Sequence, residues 1–241
     1  MIVLCSDFGT TDAYVGQLKL ALTRIAPQIN VIDLCHHLPM FSPRNAAHLL
    51  AAWTPDIPTG AVIVAVVDPG VGSTRRPIVL RTPTHTWVGP DNGLFNVVAR
   101  RAPAAAWFEI QRRPSTCSSS FHGRDIFAPA AAQLAAGTAA EHLLLSCDAP
   151  DMGDEIDEIW EIIYIDHYGN AISGIRATSL PKDARLMLAE RKISSVRTYS
   201  EGAEGIEFWF ENSNGLVEFA LYRGNISRRL DINIGARVEL G

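Results

Sequence analysis

The chain has 241 residues, 47% hydrophobic and 20% charged, with a formal net charge of −5 at pH 7. That composition is typical of a folded globular protein and excludes an intrinsically disordered chain. An acidic chain without clustered cations is a poor match for nucleic acid. No run of about 18 apolar residues is present to span a membrane.

The cysteines and the opening residues bear on cellular location. The four cysteines are far apart in sequence, which excludes a C-x-x-C metal or redox motif, and we expect reduced thiols. The opening MIVLCSDFG has neither a basic leader nor a long apolar stretch. We therefore expect no secretory signal and a cytoplasmic protein.

Short apolar runs and helical spacing alternate along the first part of the chain. They predict, in order, a strand at 1–5, a helix at 13–26, a strand at 30–34, a helix at 44–53, a strand at 60–67, a pair of adjacent strands in PIVLRT and HTWVGP, and helices at 94–101 and 125–134. This alternation predicts an α/β N-terminal domain with a mainly parallel sheet over 1–146.

The rest of the chain has a different pattern. The acidic segment CDAPDMGDEIDE contains Pro and Gly and predicts a linker at 147–158. Short, often alternating runs separated by turn residues then predict a smaller all-β, barrel-like domain at 159–241.

Polar residues follow several of the apolar runs in the first domain, and ligand groups in such domains gather beyond the carboxyl ends of strands. In SDFGTTD, Asp7 is placed to accept hydrogen bonds from two hydroxyls such as those of a ribose. Equally, Asp7 or Asp12 is a helix cap. In VDPGVGSTRR, Asp68 ends the strongest strand, and Arg75 or Arg76 is placed to pair with it. Alternatively, Asp-Pro-Gly is only a turn and the arginines are solvated.

A histidine in SSFHGRDIF adds a group that titrates near neutral pH. His122 is a candidate base or a candidate group to orient water. The alternative is that Asp125 caps a helix and His122 is a surface loop residue. The histidines lack HExxH-type spacing, so we expect no metal site.

Two polar segments of the second domain contain glycine. IDHYGNAISG offers a carboxylate, a stacking ring and an amide in Asp166, Tyr168 and Asn170. NSNGLVEFALYRGN likewise contains a polar, glycine-containing turn. Both are equally typical of hairpin turns. The chain lacks the G-x-G-x-x-G dinucleotide pattern, the Walker phosphate loop and the G-x-S-x-G elbow, so common nucleotide folds and Ser-His-Asp hydrolases are disfavoured.

Taken in order, six blocks resemble one known family. S-D-F-G, D-P-G-V-G-x-x-R, G-P-D-N-G-L, F-H-G-R-D-I-F-A-P-A-A, D-x-Y-G-N and N-S-x-G-x-x-E-x-A-x-x-x-G-N are similar to the S-adenosylmethionine (SAM) hydroxide adenosyltransferases, relatives of the SAM-dependent fluorinases and chlorinases. The resemblance implies an α/β domain followed by a barrel-like β domain. It also implies a homotrimer, with SAM bound between the N-terminal domain of one subunit and the C-terminal domain of the next.

The resemblance further implies a reaction and the residues that perform it. Water or hydroxide attacks C5′ of SAM, giving adenosine and L-methionine, with SAM as substrate and no cofactor. The catalytic trio of the family corresponds to Asp68, Arg75 and His122. Since the halogenases replace the aspartate and the histidine, the trio favours the hydroxide-using branch.

For binding, the resemblance assigns Asp7 to the ribose diol and Phe41 to an aromatic contact with the ligand. Asp166 corresponds to the carboxylate that binds the methionine amino group. The remaining matched positions surround the adenine and methionine ends: Tyr168, Asn170, Ser213, Asn225 and Ile226. Ile226 departs from the family, which more often has a small residue there. The alternative functions are a SAM-binding sensor or sink, a SAM-dependent halogenase, and a purely structural trimer.

Overall fold

A computed structural model of the chain describes residues 1–111, 117–137, 142–150, 152 and 157–241. The chain divides into two compact units, Met1–Gly153 and Asp154–Gly241. The first is an α/β unit and the second is almost all β, which confirms the predicted fold class. The domain bounds of 1–146 and 159–241 remain a prediction. The predicted linker at 147–158 includes 151 and 153–156, which lie outside the described residues.

Within the described residues, the N-terminal unit has seven strands and four α-helices. The strands are β1 (Ile2–Ser6), β2 (Val31–Cys35), β3 (Val62–Val66), β4 (Pro77–Arg81), β5 (Thr86–Pro90), β6 (Ala106–Ile110) and β7 (Leu144–Ser146). The helices are α1 (Tyr14–Ile25), α2 (Pro43–Trp53), α3 (Asn96–Arg101) and α4 (Ala128–Ala135).

The seven strands form one sheet in the order β2-β1-β3-β5-β4-β6-β7. Strands β2, β1, β3 and β5 are parallel neighbours, whereas β4, β6 and β7 pair antiparallel. The chain leaves β1 for β2 on one side and returns as β3 on the other. The carboxyl ends of β1 and β3 therefore form a topological switch point, the usual ligand position in open α/β sheets.

The core explains why the sequence pattern was informative. Every residue of β3 is buried, as expected for a strand covered on both faces. The helical spacing in α1 buries Leu18 and Leu22 against the sheet, and Ala131 of α4 belongs to the same cluster. These contacts hold β1 and β3 side by side, and Ser6 is the register partner of Val66.

Two features of this unit differ from the predicted elements. The helix predicted at 125–134 begins earlier, as a π-helical turn at Gly123–Phe127 that continues into α4. Strands β6 and β7 were not predicted, because they are short and lack a strong apolar run. The adjacent pair predicted in PIVLRT and HTWVGP is confirmed as β4 and β5.

Within the described residues, the C-terminal unit has seven strands and one short α-helix. The strands are β8 (Ile159–Ile165), β9 (Ala171–Arg176), β10 (Arg185–Leu188), β11 (Arg191–Ser195), β12 (Glu207–Glu211), β13 (Leu216–Leu221) and β14 (Val238–Leu240), and the helix is α5 (Ile226–Leu230). They form a sheet in the order β14-β10-β11-β12-β13-β9-β8.

The two edge strands of this sheet approach each other, which makes it barrel-like. Ile162 of β8 donates its N–H to the carbonyl of Ala236 at 2.8 Å and accepts from the N–H of Gly235 at 2.7 Å, just before β14. The prediction of an all-β unit missed α5, since that helix is only five residues long. No helix among the described residues is long and apolar enough to cross a membrane.

Candidate functional site

A cavity of about 410 Å³ lies at the switch point of the N-terminal unit. Asp7 follows β1, and Asp68 lies two residues beyond the end of β3. Both side chains line the cavity, together with Phe41 and His122. Four of the predicted site residues therefore meet in one place, although as many as 115 positions separate them in the sequence.

Asp68 and Arg75 form a buried ion pair beside the cavity. Arg75 Nε donates to Asp68 Oδ1 at 2.9 Å and to Oδ2 at 3.1 Å, and Arg75 Nη2 also contacts Oδ2. The side chains are only 5% and 8% exposed. The guanidinium also lies over the ring of Phe127, 5.2 Å from its centroid. For Arg75, the alternative of a solvated side chain is therefore wrong.

The same guanidinium contacts His122. Arg75 Nη2 lies 2.8 Å from Nδ1 of His122, which is 6% exposed. An arginine in a protein is always a donor, so Nδ1 is the acceptor and, in the neutral imidazole, Nε2 carries the proton. His122 is consequently neither a surface residue nor free to use Nδ1 as a base.

Local backbone structure brings these three residues together. His122 immediately precedes the π-helical turn, a feature often found at functional sites. Gly72, in the loop between Asp68 and Arg75, has a φ of +83°, and a Cβ there would lie 2.5 Å from the carbonyl oxygen of Ser119. Only glycine lets this loop pack against the segment that leads to His122.

The GPDNG segment supports the same loop from the other side. Arg76 Nε donates to Asp91 Oδ2 at 2.7 Å, which settles the ambiguity between the two arginines, because Arg75 alone pairs with Asp68. Asn92 Nδ2 donates to the carbonyl of Val67 at 2.9 Å, directly before Asp68. These turn residues therefore position the site.

Asp7 does not cap α1, whose N-cap residue is Ala13 and whose N-terminus has no side-chain cap. Instead, Asp7 Oδ2 accepts the backbone N–H of Phe41 at 3.2 Å. Burial raises the pKa of Asp7, the Phe41 N–H opposes this, and the nearby Asp68 adds to the rise. Phe41 has a φ of 58° and is 74% exposed as a residue, so a strained backbone presents an aromatic residue at the cavity. Asp125 also caps no helix; it accepts the N–H of Ser118 at 2.8 Å and pairs with Arg124.

Sequence reasoning missed a polar chain behind Asp7. Ser6 Oγ lies 2.7 Å from Nδ1 of His36, and His36 Nε2 lies 3.2 Å from Oδ1 of Asp33. Lys19 in turn donates to Asp33 Oδ2 at 2.6 Å. Ser6 and His36 are both buried, so the chain anchors the end of β1. A D-x-x-H pattern that begins within a predicted strand was the available signal.

Sequence reasoning also missed an aromatic wall of the cavity. Phe8, Tyr14 and Phe121 all line it, and their ring centroids lie 5.4 to 5.8 Å apart. Such a wall suits a flat or cationic ligand, because aromatic faces attract both.

The predicted residues of the C-terminal unit form a second polar group. Asp166 Oδ1 accepts the backbone N–H of Asn170 at 2.8 Å, and Oδ2 accepts Asn170 Nδ2 at 3.3 Å. Tyr168, in the same turn, is 75% exposed. The turn is thus a hairpin, as in the alternative reading, but one that presents a carboxylate and a ring.

The α5 segment packs against this turn. Asn225 caps α5 by accepting the N–H of Arg228 at 2.8 Å. Gly169 has a φ of +86°, and a Cβ there would overlap the Asn225 side chain at 2.0 Å. Ile226 is fully buried in the core, so its side chain serves packing. Ser213 is exposed in the turn between β12 and β13.

Sequence reasoning left Glu218, a buried carboxyl group that contacts this polar group, unassigned. It is 8% exposed and accepts Asn170 Nδ2 at 2.9 Å and Asn212 Nδ2 at 3.1 Å. A carboxylate inside the apolar run LVEFAL was the signal. In the part of the chain that the structure describes, no group of three or more His, Cys, Asp or Glu could hold a metal ion.

Comparison with known proteins agrees with this geometry. The chain matches the SAM hydroxide adenosyltransferase N-terminal domain over residues 2–144 and the C-terminal domain of the same family over residues 160–239. A solved structure of an uncharacterized conserved protein from Thermotoga maritima superposes with a TM-score of 0.89 at 30% identity, covering 100% of this chain and 99% of that one.

Similar curated proteins carry related names. The chain is 35% identical to an (R)-S-adenosyl-L-methionine hydrolase of Thermus thermophilus, covering 99% of this chain and 98% of that protein. A fluorinase of Nocardia brasiliensis is more distant, at 24% identity over 76% of this chain and 73% of that protein. The chain belongs to the SAM hydroxide adenosyltransferase family, whose more distant relatives include the fluorinases.

Proposed function

We propose that this protein hydrolyses S-adenosyl-L-methionine to adenosine and L-methionine by attack of water at C5′. The observation that carries the proposal is the contact chain from Asp68 through Arg75 to His122 at the wall of the cavity. The full-length relative from Thermus thermophilus, named an (R)-S-adenosyl-L-methionine hydrolase, supports it. From that name we also propose that the substrate is the (R) epimer at sulfur.

The chemistry requires little of the leaving group. The water oxygen forms a bond to C5′, the C5′–S bond breaks, and its electron pair neutralises the sulfonium to the thioether of methionine. One proton leaves the water. Because the sulfonium departs readily, the protein mainly has to place a water in line with the C5′–S bond and exclude bulk solvent.

We assign separate roles to the three residues. The Nε2–H of His122 donates to the oxygen of the attacking water, and the positive charge of Arg75 beside it stabilises the hydroxide character of that water. Since Nδ1 of His122 is occupied by Arg75, Asp68 is the group beside the cavity that takes the proton. Asp68 also fixes Arg75 through two of its nitrogens.

For binding, we propose that Asp7 accepts the ribose hydroxyls and that Phe41 packs on the ligand. Asp166 binds the methionine ammonium, and the group formed by Tyr168, Asn170, Ser213, Asn225 and Ile226 surrounds the adenine and methionine ends. For Ile226 the contact is through the backbone, because its side chain is buried.

We propose a homotrimer in which the cavity of one subunit is completed by the C-terminal unit of the next. Exposed apolar residues at the cavity support this, since Met40 is 70% and Tyr14 50% exposed. Light scattering on the purified protein tests the trimer. We also propose a cytoplasmic location, because the described cysteines Cys5, Cys35, Cys117 and Cys147 form no disulfide.

The central experiment incubates the purified protein with each sulfonium epimer of SAM and follows adenosine and methionine by chromatography. Hydrolysis of the (R) epimer, lost in an Asp68→Asn variant, is the expected result. Binding without product would instead favour a SAM sensor or sink. Product formed with chloride but not with water alone would favour a halogenase, and undetectable SAM binding would favour a structural role.

A further inference from the structure

A carboxyl group lies within the sheet of the C-terminal unit at a position where apolar side chains are usual. Glu218 is the third residue of β13 and is 8% exposed. Its neighbours Val217 and Phe219 belong to the hydrophobic core, so strand alternation places Glu218 on the opposite face. Because burying a carboxyl group is unfavourable without hydrogen bonds, its partners indicate why it is there.

Glu218 controls the orientation of one amide. Its Oε1 accepts from Asn170 Nδ2 at 2.9 Å, and the same nitrogen donates to Asp166 Oδ2 at 3.3 Å. Both hydrogens of that amide are therefore used by carboxyl oxygens. A rotated amide would set its oxygen against two carboxyl groups, so the pair of acceptors permits one orientation.

The opposite side of Glu218 is held as firmly. Its Oε2 accepts from Asn212 Nδ2 at 3.1 Å, and the Oδ1 atom of Asn212 accepts the backbone N–H groups of Asn214 in the turn and Leu216 at the start of β13. Burial raises the pKa of Glu218, and the nearby Asp166 adds to the rise, whereas the amides of Asn212 and Asn170 oppose it. The two carboxyl groups thus interact electrostatically, and a cation bound at Asp166 would relieve their repulsion.

We propose that Glu218 is a positioning residue for the amino end of the substrate. Through the amide of Asn170 it holds the Asp166 carboxylate in the orientation that binds an ammonium group. The inference rests on the proposed function, in which Asp166 binds the ammonium of SAM. Glu218 itself makes no contact with substrate.

The first measurement separates binding from turnover in a Glu218→Gln variant. Gln keeps the shape of the side chain but loses one acceptor oxygen. We expect the KM for SAM to rise about tenfold with kcat nearly unchanged, since one charged hydrogen bond is lost in the ground state and the transition state alike. The matched control is Glu211→Gln on the same hairpin, an exposed position expected to leave both constants unchanged.

The second measurement distinguishes positioning from a merely structural role. In calorimetric titrations, Glu218→Gln should weaken L-methionine binding about tenfold while adenosine binding stays at the wild-type value. In an Asp166→Asn background, Glu218→Gln should weaken methionine binding no further, because the two residues act in series. An equal loss for both products, or additive losses in the double variant, would overturn the proposal.

A second variant tests the inference if Glu218→Gln fails to fold. Asn212→Asp keeps the Oδ1 acceptor that the turn needs but places a second carboxylate oxygen against Glu218. Methionine affinity should therefore fall while adenosine affinity stays at the wild-type value. Wild-type protein that leaves both SAM epimers intact would count against the proposed function. Wild-type protein that hydrolyses SAM, with unchanged methionine affinity in the variants, would refute the role of Glu218 alone.

Discussion

Arg75 Nη2 lies 2.8 Å from Nδ1 of His122, and this contact decides which nitrogen of the imidazole is available. A guanidinium has no acceptor, so His122 accepts at Nδ1 and, when neutral, donates from Nε2. In a cavity where a hydroxide-like oxygen must be stabilised, a donor at Nε2 is useful, whereas a base at that atom would need the other tautomer.

Two amide substitutions of His122 separate the roles of its nitrogens. Asn places an acceptor near the Nδ1 position, whereas Gln places an amide N–H near the Nε2 position. If Nε2 acts as a donor, His122→Gln should retain more turnover than His122→Asn, and His122→Ala should lose about 100-fold or more. Steady-state kcat measures this. Equal activity in the Gln and Ala variants would contradict the donor role.

The charge of Asp68 should matter more for turnover than for affinity. We expect Asp68→Asn to lower kcat about 100-fold or more, with little change in SAM affinity, because the proton moves only as the reaction proceeds. The variant leaves the Arg75 charge without its partner, at a cost of about 3 kcal/mol in the free energy of unfolding, so the Tm must be measured alongside. Asp231→Asn, at an exposed position, is the control; wild-type turnover in Asp68→Asn would sink the assignment.

Two glycines with similar backbone angles allow a matched test of the loop between Asp68 and Arg75. Gly72 and Gly60 have φ values of +83° and +86°, but only at Gly72 would a Cβ collide with a backbone oxygen. Alanine at either position should lower the free energy of unfolding by about 1–2 kcal/mol through left-handed strain. Only Gly72→Ala should also lower kcat, as Arg75 and His122 separate. An equal effect of the two variants on kcat would show that the close approach at Ser119 is unimportant.

Asp125 should stabilise the protein in a pH-dependent way. The hydrogen bonds from Arg124 and from the Ser118 N–H lower the pKa of Asp125 below its ordinary value of 3.8. The ionised form is therefore favoured in the folded state, so its contribution is present above pH 3.8 and lost as the pH falls through the lowered pKa. Asp125→Asn should lower the free energy of unfolding by about 0.5–1 kcal/mol at neutral pH, a range that allows for solvent screening.

Denaturant titrations at several pH values measure this difference. The gap between wild type and Asp125→Asn should narrow as the pH falls, while the exposed control Asp183→Asn should track the wild type throughout. A gap that widens as the pH falls would mean that folding raises the pKa of Asp125 instead of lowering it.

A mixing experiment tests the proposal that the site is shared between subunits. Asp68→Asn disables the N-terminal unit and Asp166→Asn the C-terminal unit, so each variant alone should be weakly active. Co-expressed in equal amounts, they should regain about a quarter of wild-type activity, because one interface in four then joins two intact units. No gain in mixed trimers, verified by mass, would place the whole site within one subunit.

The sequence predicted much of the fold but not its fine structure. The continuous apolar run at 60–67 and the helical spacing at 13–26 are strong patterns, and both became the expected elements. The π-helical turn at Gly123–Phe127 left no such pattern, because its geometry depends on packing. The five-residue α5 is likewise set by its Asn225 cap and its buried Ile226 rather than by periodicity.

The candidate site, too, was predicted only in part from the sequence. The local sequence left Asp7 undecided between a cap and a ligand group; the structure excludes the cap of α1 and shows that Asp7 accepts the N–H of Phe41 instead. Two contacts were missed because they join residues far apart in sequence. Glu218 and Asn170 are 48 residues apart, and Ser6 and His36 are 30 residues apart. No local pattern reports a contact of that separation.

By itself, then, the sequence determined the two-unit architecture, the strand ends that carry carboxylates, and the family, since these depend on local periodicity and on the order of motifs. The tertiary structure alone decided that Arg75 rather than Arg76 pairs with Asp68 and that Nδ1 of His122 is occupied. The physical reason is that an ion pair or a tautomer is fixed by distances between side chains far apart in sequence. The order of strands and the close approach at Gly72 set those distances.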